Sequence, residues 1–200
     1  DSENAIEIHL AAGVPASKIV LGVAFYGRGW TGVEPEDQGL FQPFERFTQA
    51  YSYKQLKTDY IDRRGFQRFW DDAAKAPYLW NPDSTTFIGY DDPESLKHKA
   101  DFIKQHNLGG VMFWEYSLDD DGVLLDTLVK MFDVDFEEIQ IALYQDNTAE
   151  KLGPYSPSLK VPVLLHRDVT VWDSLAICEY ISEQFLVGGG WPSSPKRKAS

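Results

Sequence analysis

The sequence predicts an α/β fold in two parts, and three observations carry that reading. Two short runs of apolar, β-branched and aromatic residues, Ile19 to Phe25 and Val111 to Trp114, read as strands buried on both faces. Each leads into an amphipathic helical pattern, the first after a long inserted stretch and the second after a loop; that is the order of βα units in a parallel sheet. From about Phe132 the pattern changes to strand, helix, hairpin and helix.

Taken in order, ENAIEIHLAA (3–12) predicts a short helix that Gly13-Val14-Pro15 stops. KIVLGVAFYGRGW (18–30) supplies the first buried strand. Residues 31–95 are rich in Gly, Pro and aromatic residues, with short runs such as Tyr51-Ser52-Tyr53 and Thr85 to Tyr90; short antiparallel strands and loops fit them. Pro93-Glu94-Ser95 opens a helix with proline in its first turn, and Asn107-Leu108-Gly109-Gly110 ends it. The strand Val111 to Trp114 follows, then the acidic loop Asp119-Asp120-Asp121-Gly122 and the helix VLLDTLVKMF.

In the second part, FEEIQIAL (136–143) alternates as a half-buried strand does, and TAEKLG is a short helical piece. Val161 to Leu165 and Val169 to Trp172 form a hairpin about Arg167-Asp168. Asp173-Ser174 caps a helix, LAICEYISEQF, whose apolar positions 175, 177, 178, 181 and 185 share one face. The only cysteine, Cys178, falls on that face and is expected to be a buried structural thiol. No Gly/Ser linker separates the parts, so the boundary at 131/132 rests on the change of pattern.

Composition excludes several functions. Hydrophobic residues make up 43% of the 200-residue chain and aromatics 14%, enough for a buried core. The net charge of −12 argues against a nucleic-acid partner, because a phosphate-binding face needs clustered Lys and Arg. The one basic run, Lys196-Arg197-Lys198, reads as a solvated tail. No apolar stretch approaches the roughly 18 residues that a membrane helix needs. A single cysteine allows no intrachain disulfide. The chain opens Asp1-Ser2-Glu3-Asn4, without a signal-peptide pattern or an initiator Met, which suggests a cut edge and leaves the compartment open.

Several separated motifs, in one order, resemble the C-terminal end of a family-18 glycoside hydrolase, the chitinase family. AGVPASKIVLGVAFYGRGW looks like its seventh strand region and LGGVMFWEYSLDD like its eighth; YSYKQLK, GFQRFWDDAAKAPYLW and TTFIGYDDPESLKHKADFIK resemble the α+β insertion, at about 31–92, and the helix after it. The resemblance covers about residues 3–131. It implies a partial (β/α)8 TIM barrel, its last two βα units, with the site at the C-terminal ends of the strands. It also implies that Trp114 forms the floor beneath the sugar, with Glu115 beside it and Tyr26 and Arg28 at the mouth. An indole suits a pyranose because the sugar's C–H face is apolar and the ring face π-rich. Trp70, Trp80 and Tyr90 either line a groove or pack in the insertion's core. The family's proton donor belongs to a D-x-x-D-x-D-x-E motif on the fourth strand, and that spacing occurs nowhere in this sequence; the Met-x-Tyr-Asp segment of the sixth strand is also absent.

The second part, about 133–195, resembles the thioredoxin-like N-terminal domain of a glutathione transferase. Val161-Pro162 matches its cis-proline turn and Asp173-Ser174 its acidic-Ser pair, which implies a glutathione contact at these four residues; helix-end amides suit a carboxylate. The family's thiol-stabilising Tyr, Ser or Cys, after a first strand, has no counterpart before Phe136. The expected organisation is therefore 1–131 from one family and 132–200 from another. No cofactor is implied, only glutathione as a ligand. Chitin or N-acetylglucosamine oligomers are the expected partners of the first part, with self-association through open sheet edges. A chitinase origin implies secretion and a transferase origin the cytoplasm. Three readings stay open: part of a chitinase-type hydrolase, a glutathione-binding module, or a chimera without activity, whether engineered, fused or misassembled.

Overall fold

A computed structural model describes residues 2–133 and 136–185. The chain divides into two compact units, Asp1–Phe136 and Glu137–Ser200. The tail Lys196-Arg197-Lys198 lies outside the described residues.

In the first unit, helix α1 (Ser2–Ala11) buries Ile6 and ends where Gly13 takes a left-handed φ of 86°. Strand β1 (Val20–Ala24) pairs in parallel with β7 (Gly110–Trp114), in register from Val20↔Gly110 to Ala24↔Trp114. Helices α3 (Pro93–Gln105) and α4 (Val123–Met131) cover one face of this pair. There Leu21 packs with Ile6 and Ile103, and Val23 with Leu96, Leu124 and Leu128. The expected burial on both faces is not found. Val20 is 53% exposed, Met112 49% and Trp114 63%. Side chains alternate along a strand, so these mark a second face that no described element covers.

The apolar run does not continue as one strand. At Phe25 the chain leaves the parallel pair, and Tyr26–Thr31 forms β2 in a separate antiparallel sheet. That sheet joins β2 to four strands of the inserted stretch, in the order β3-β2-β6-β5-β4, with β3 Arg46–Ser52, β4 Gln67–Asp71, β5 Ala76–Asn81 and β6 Thr86–Gly89. Between β3 and β4, helix α2 (Tyr53–Gln55) runs on as a π turn, Leu56–Tyr60. It starts at a capping box in which Ser52 Oγ accepts the Gln55 N–H at 3.1 Å and Gln55 Oε1 accepts the Ser52 N–H at 3.2 Å. One face of the sheet presses Tyr51, Leu79, Ile88 and Tyr90 into the core around Phe25 and Leu96. A Cβ on Gly27 would come within 2.9 Å of Leu56 and 3.0 Å of Tyr90, so this close approach of β2 to the π turn requires glycine. The other face carries Trp30, Tyr78, Trp80 and Phe87.

In the second unit, helix α5 (Thr148–Leu152) precedes the hairpin β8 (Val163–His166) and β9 (Val169–Trp172), with Arg167 at φ 55° in the turn. Helix α6 (Ser174–Phe185) follows. Two expectations fail here. Residues 136–143 form no strand, and Phe136 and Ile139 stay 51% and 44% exposed. Alternation alone does not make a strand; backbone partners do, and no strand pairs with this stretch among the described residues. Cys178 is exposed rather than buried, as are Leu175 and Ile181 on the same helix. Helix α6 meets the hairpin instead through Tyr180, whose hydroxyl lies 2.9 Å from His166 Nδ1. The side chain of position 185 lies outside the described residues.

Candidate functional site

The sequence-predicted sugar residues gather at the C-terminal end of the parallel pair. Trp114 ends β7 opposite Ala24. Phe25 donates its N–H to the Trp114 carbonyl at 2.9 Å, and its own carbonyl accepts the Tyr53 N–H at 2.9 Å. One residue later β2 begins. Because side chains alternate, Gly27 turns to the core while Tyr26 and Arg28 share the opposite face. The Arg28 guanidinium stands 5.8 Å from the centroid of the Tyr26 ring, and Arg28 is exposed. The Trp114–Glu115 peptide is cis. Glu115 is exposed and accepts a hydrogen bond from Ser117 Oγ at 2.7 Å. The ensemble offers an open indole face and, in Arg28, an exposed guanidinium: it can stack on a ring and donate hydrogen bonds.

Acidic groups behind this end are committed to structure. Asp119 is fully buried and caps α4, its Oδ2 accepting the N–H groups of Leu124 at 2.7 Å and Leu125 at 3.1 Å. Burial pushes its carboxyl above the ordinary range, partly opposed by those two N–H groups. Asp120 and Asp121 pair with Lys54 and Lys57. Burial, reinforced by Asp92, also raises the Tyr53 and Tyr90 phenols well above their usual values. Trp80 and Tyr90 are buried, so of the two readings for them core packing is correct and a groove is not. Trp70 is half-buried, beneath Arg68 at 5.4 Å and beside His98 at 5.7 Å.

Two further acids escape the sequence pattern. Asp92 caps α3 through the N–H groups of Glu94 and Ser95, and Arg68 binds it at 2.7 and 3.0 Å. Asp91 takes Lys99 at 2.6 and 2.7 Å and Ser95 Oγ at 2.9 Å. The dipeptide Asp-Pro at 92–93 is a local signal for the cap. Nothing local marks Asp91.

In the second unit, the Val161–Pro162 peptide is cis and Val161 is 47% exposed. Val163 pairs with Trp172, so Pro162 and Asp173 flank that pair at one end of the hairpin. Asp173 sits at φ 83°, and its carboxylate accepts the Leu175 N–H at 2.9 Å. Ser174 is exposed at the first position of α6. The structure thus brings all four predicted glutathione residues to one end, with Asp173 already serving as a helix cap. Among the described residues, no group of three His, Cys, Asp or Glu side chains is gathered as a metal ion would need, and no helix is long and apolar enough to cross a membrane.

Comparison with known proteins matches the two parts separately. The family model "Glycosyl hydrolases family 18" covers residues 1–119, and "Glutathione S-transferase, N-terminal domain" covers residues 123–183. Chitinase A1 of Niallia circulans is 43% identical over 127 residues, 60% of this chain and 18% of that protein. A family-18 N-acetylglucosaminidase from Paenibacillus barengoltzii superposes with a TM-score of 0.61 at 44% identity, covering 64% of this chain and 38% of that one. A family-18 chitinase from Cycas revoluta, solved in complex with (GlcNAc)3, gives a TM-score of 0.57 at 28% identity over 64% of this chain and 37% of that one. The chain therefore spans well under half the length of each of these relatives. Since the first model takes in more than half of its residues, the chain belongs to glycosyl hydrolases family 18.

Proposed function

We propose that residues 1–131 form part of a chitin-oligosaccharide site of the family-18 type, with Trp114 as the surface on which a sugar ring stacks. The single observation that carries this reading is the exposure of Trp114, 63%, at the C-terminal end of β7. Barrel enzymes place their sites at that end, and an indole left open there has a free π face. Tyr26 and Arg28 supply a second wall and hydrogen-bond donors, and Glu115 a carboxylate. In this reading α4 belongs with the first part, in keeping with Leu124 and Leu128 in its core.

The reaction of the family is substrate-assisted: a Glu protonates the leaving oxygen while the sugar's N-acetyl group attacks the anomeric carbon. The sequence holds no D-x-x-D-x-D-x-E spacing. Of the nearby acids, Asp119 serves as a cap and Asp120 and Asp121 stand in ion pairs, while the exposed Glu115 lies outside any such motif. The chain therefore contacts sugar without cleaving it.

Titration with N-acetylglucosamine oligomers, followed by tryptophan fluorescence, tests the reading. The native chain responds and Trp114→Ala does not; an equal response in both removes Trp114 from the site.

A second reading applies to residues 132–200, as a partial thioredoxin-like module that contacts glutathione through Val161, Pro162, Asp173 and Ser174. What supports it is the placement of Pro162 and Asp173 at one end of the hairpin, beside the first amides of α6.

A further inference from the structure

Two adjacent carboxylates, Asp91 and Asp92, are buried side by side, 6% and 7% exposed, between β6 and α3. Burying two like charges is costly unless each is paired. Asp92 has an evident use as the cap of α3. Asp91 caps nothing. Its carboxylate is held by Lys99 Nζ at 2.6 and 2.7 Å and by Ser95 Oγ at 2.9 Å, both from α3. The remaining contact leaves this region altogether: the Ala24 N–H points to Asp91 Oδ2 at 3.4 Å, across 67 positions of sequence.

Ala24 is where that contact matters. It is the last residue of β1, the register partner of Trp114, and only Phe25 separates it from Tyr26. The chain changes there from a parallel ladder to an antiparallel one. Phe25 has its N–H on Trp114 and its carbonyl on Tyr53. Asp91 therefore adds a tie from α3 to the junction that sets the Trp114 backbone against the strand bearing Tyr26 and Arg28.

We infer that Asp91 is a positioning residue for the sugar-contacting end of the first unit, holding Ala24 so that Trp114 and the Tyr26–Arg28 strand keep their mutual placement. Its importance to ligand contact rests on the sugar reading of Trp114, but its effect on the indole does not.

The experiment is a ¹H–¹⁵N spectrum of the full chain, with the Trp114 indole N–H assigned by Trp114→Phe. In Asp91→Asn the Trp114 indole resonance shifts while those of Trp30 and Trp80 stay in place. Oligomer binding, measured on the same samples, weakens by about tenfold. An unmoved Trp114 resonance overturns the inference, whatever the native chain does with sugar. A shifted resonance in a chain that binds no oligomer upholds the inference and removes the sugar reading alone. If Asp91→Asn loses spectral dispersion, Asp91→Glu, which keeps the charge for Lys99 and displaces the carboxylate, decides: a shifted Trp114 resonance supports the inference and an unmoved one ends it.

Discussion

Ala24 and Trp114 face each other as the last register pair of the parallel ladder between β1 and β7. Among the described residues no third strand joins that ladder, and its uncovered face shows Val20, Met112 and Trp114. Strand edges with free backbone groups pair with any strand at hand, and parallel sheets are stable with both faces covered. Among the described residues the hairpin β8–β9 likewise has no third strand, and an isolated hairpin is marginally stable in water. The chain should therefore self-associate at micromolar concentration. Light scattering after size exclusion checks this, and a monodisperse monomer with two independent urea transitions would refute it.

Turnover of a fluorogenic chitobioside should stay at the level of a heat-treated sample. General acid catalysis is typically worth about 10² to 10⁴-fold, and no free carboxylic acid with the family's motif stands in the sequence. Burst-free, background release is the expected trace; hydrolysis well above it would show that another acid substitutes.

Asp119 should make the first unit less stable as pH rises. Its folded carboxyl is raised by burial, while the unfolded value lies at about 4. Below that pH the group is neutral in both states and contributes nothing. As pH climbs through the folded value, the unfolded chain holds the charge at less cost, so stability is lost. Asp119→Asn keeps an acceptor for Leu124 and should gain stability over the native chain at pH 7 but not at pH 4. Asp119→Ala should lose about 1 to 2 kcal/mol through the lost cap. Urea midpoints at both pH values provide the measurement; an Asn variant that is equally affected at each would contradict the argument.

Glutathione should bind weakly at most. The Pro162 and Asp173–Ser174 end of the hairpin is in place, but Asp173 is already engaged by the Leu175 N–H, and ordering a small ligand costs rigid-body entropy. Retention on glutathione resin should be slight and reduced further in Ser174→Ala. Tight retention that the substitution abolishes would put the glutathione reading first.

Local chemistry made much of this protein legible in its sequence. Pro93 in the first turn marks the start of α3, Gly13 the end of α1, and the apolar runs locate β1 and β7, because period and propensity act within a few residues. Trp114, Tyr26 and Arg28 come from the family resemblance rather than from local chemistry, and the structure sets Tyr26 and Arg28 on one face and Trp114 at the same strand end. What tertiary structure alone decided are the properties that depend on distant partners. Residues 136–143 alternate like a strand yet form none, because a ladder needs a neighbour. Cys178 lies on an apolar face yet is exposed, since burial requires something packed against that face. Asp91 reaches Ala24 and Lys99 from a position with no local signature. Periodicity reports what a segment can bury or bond; only the folded chain determines whether a partner stands there to receive it.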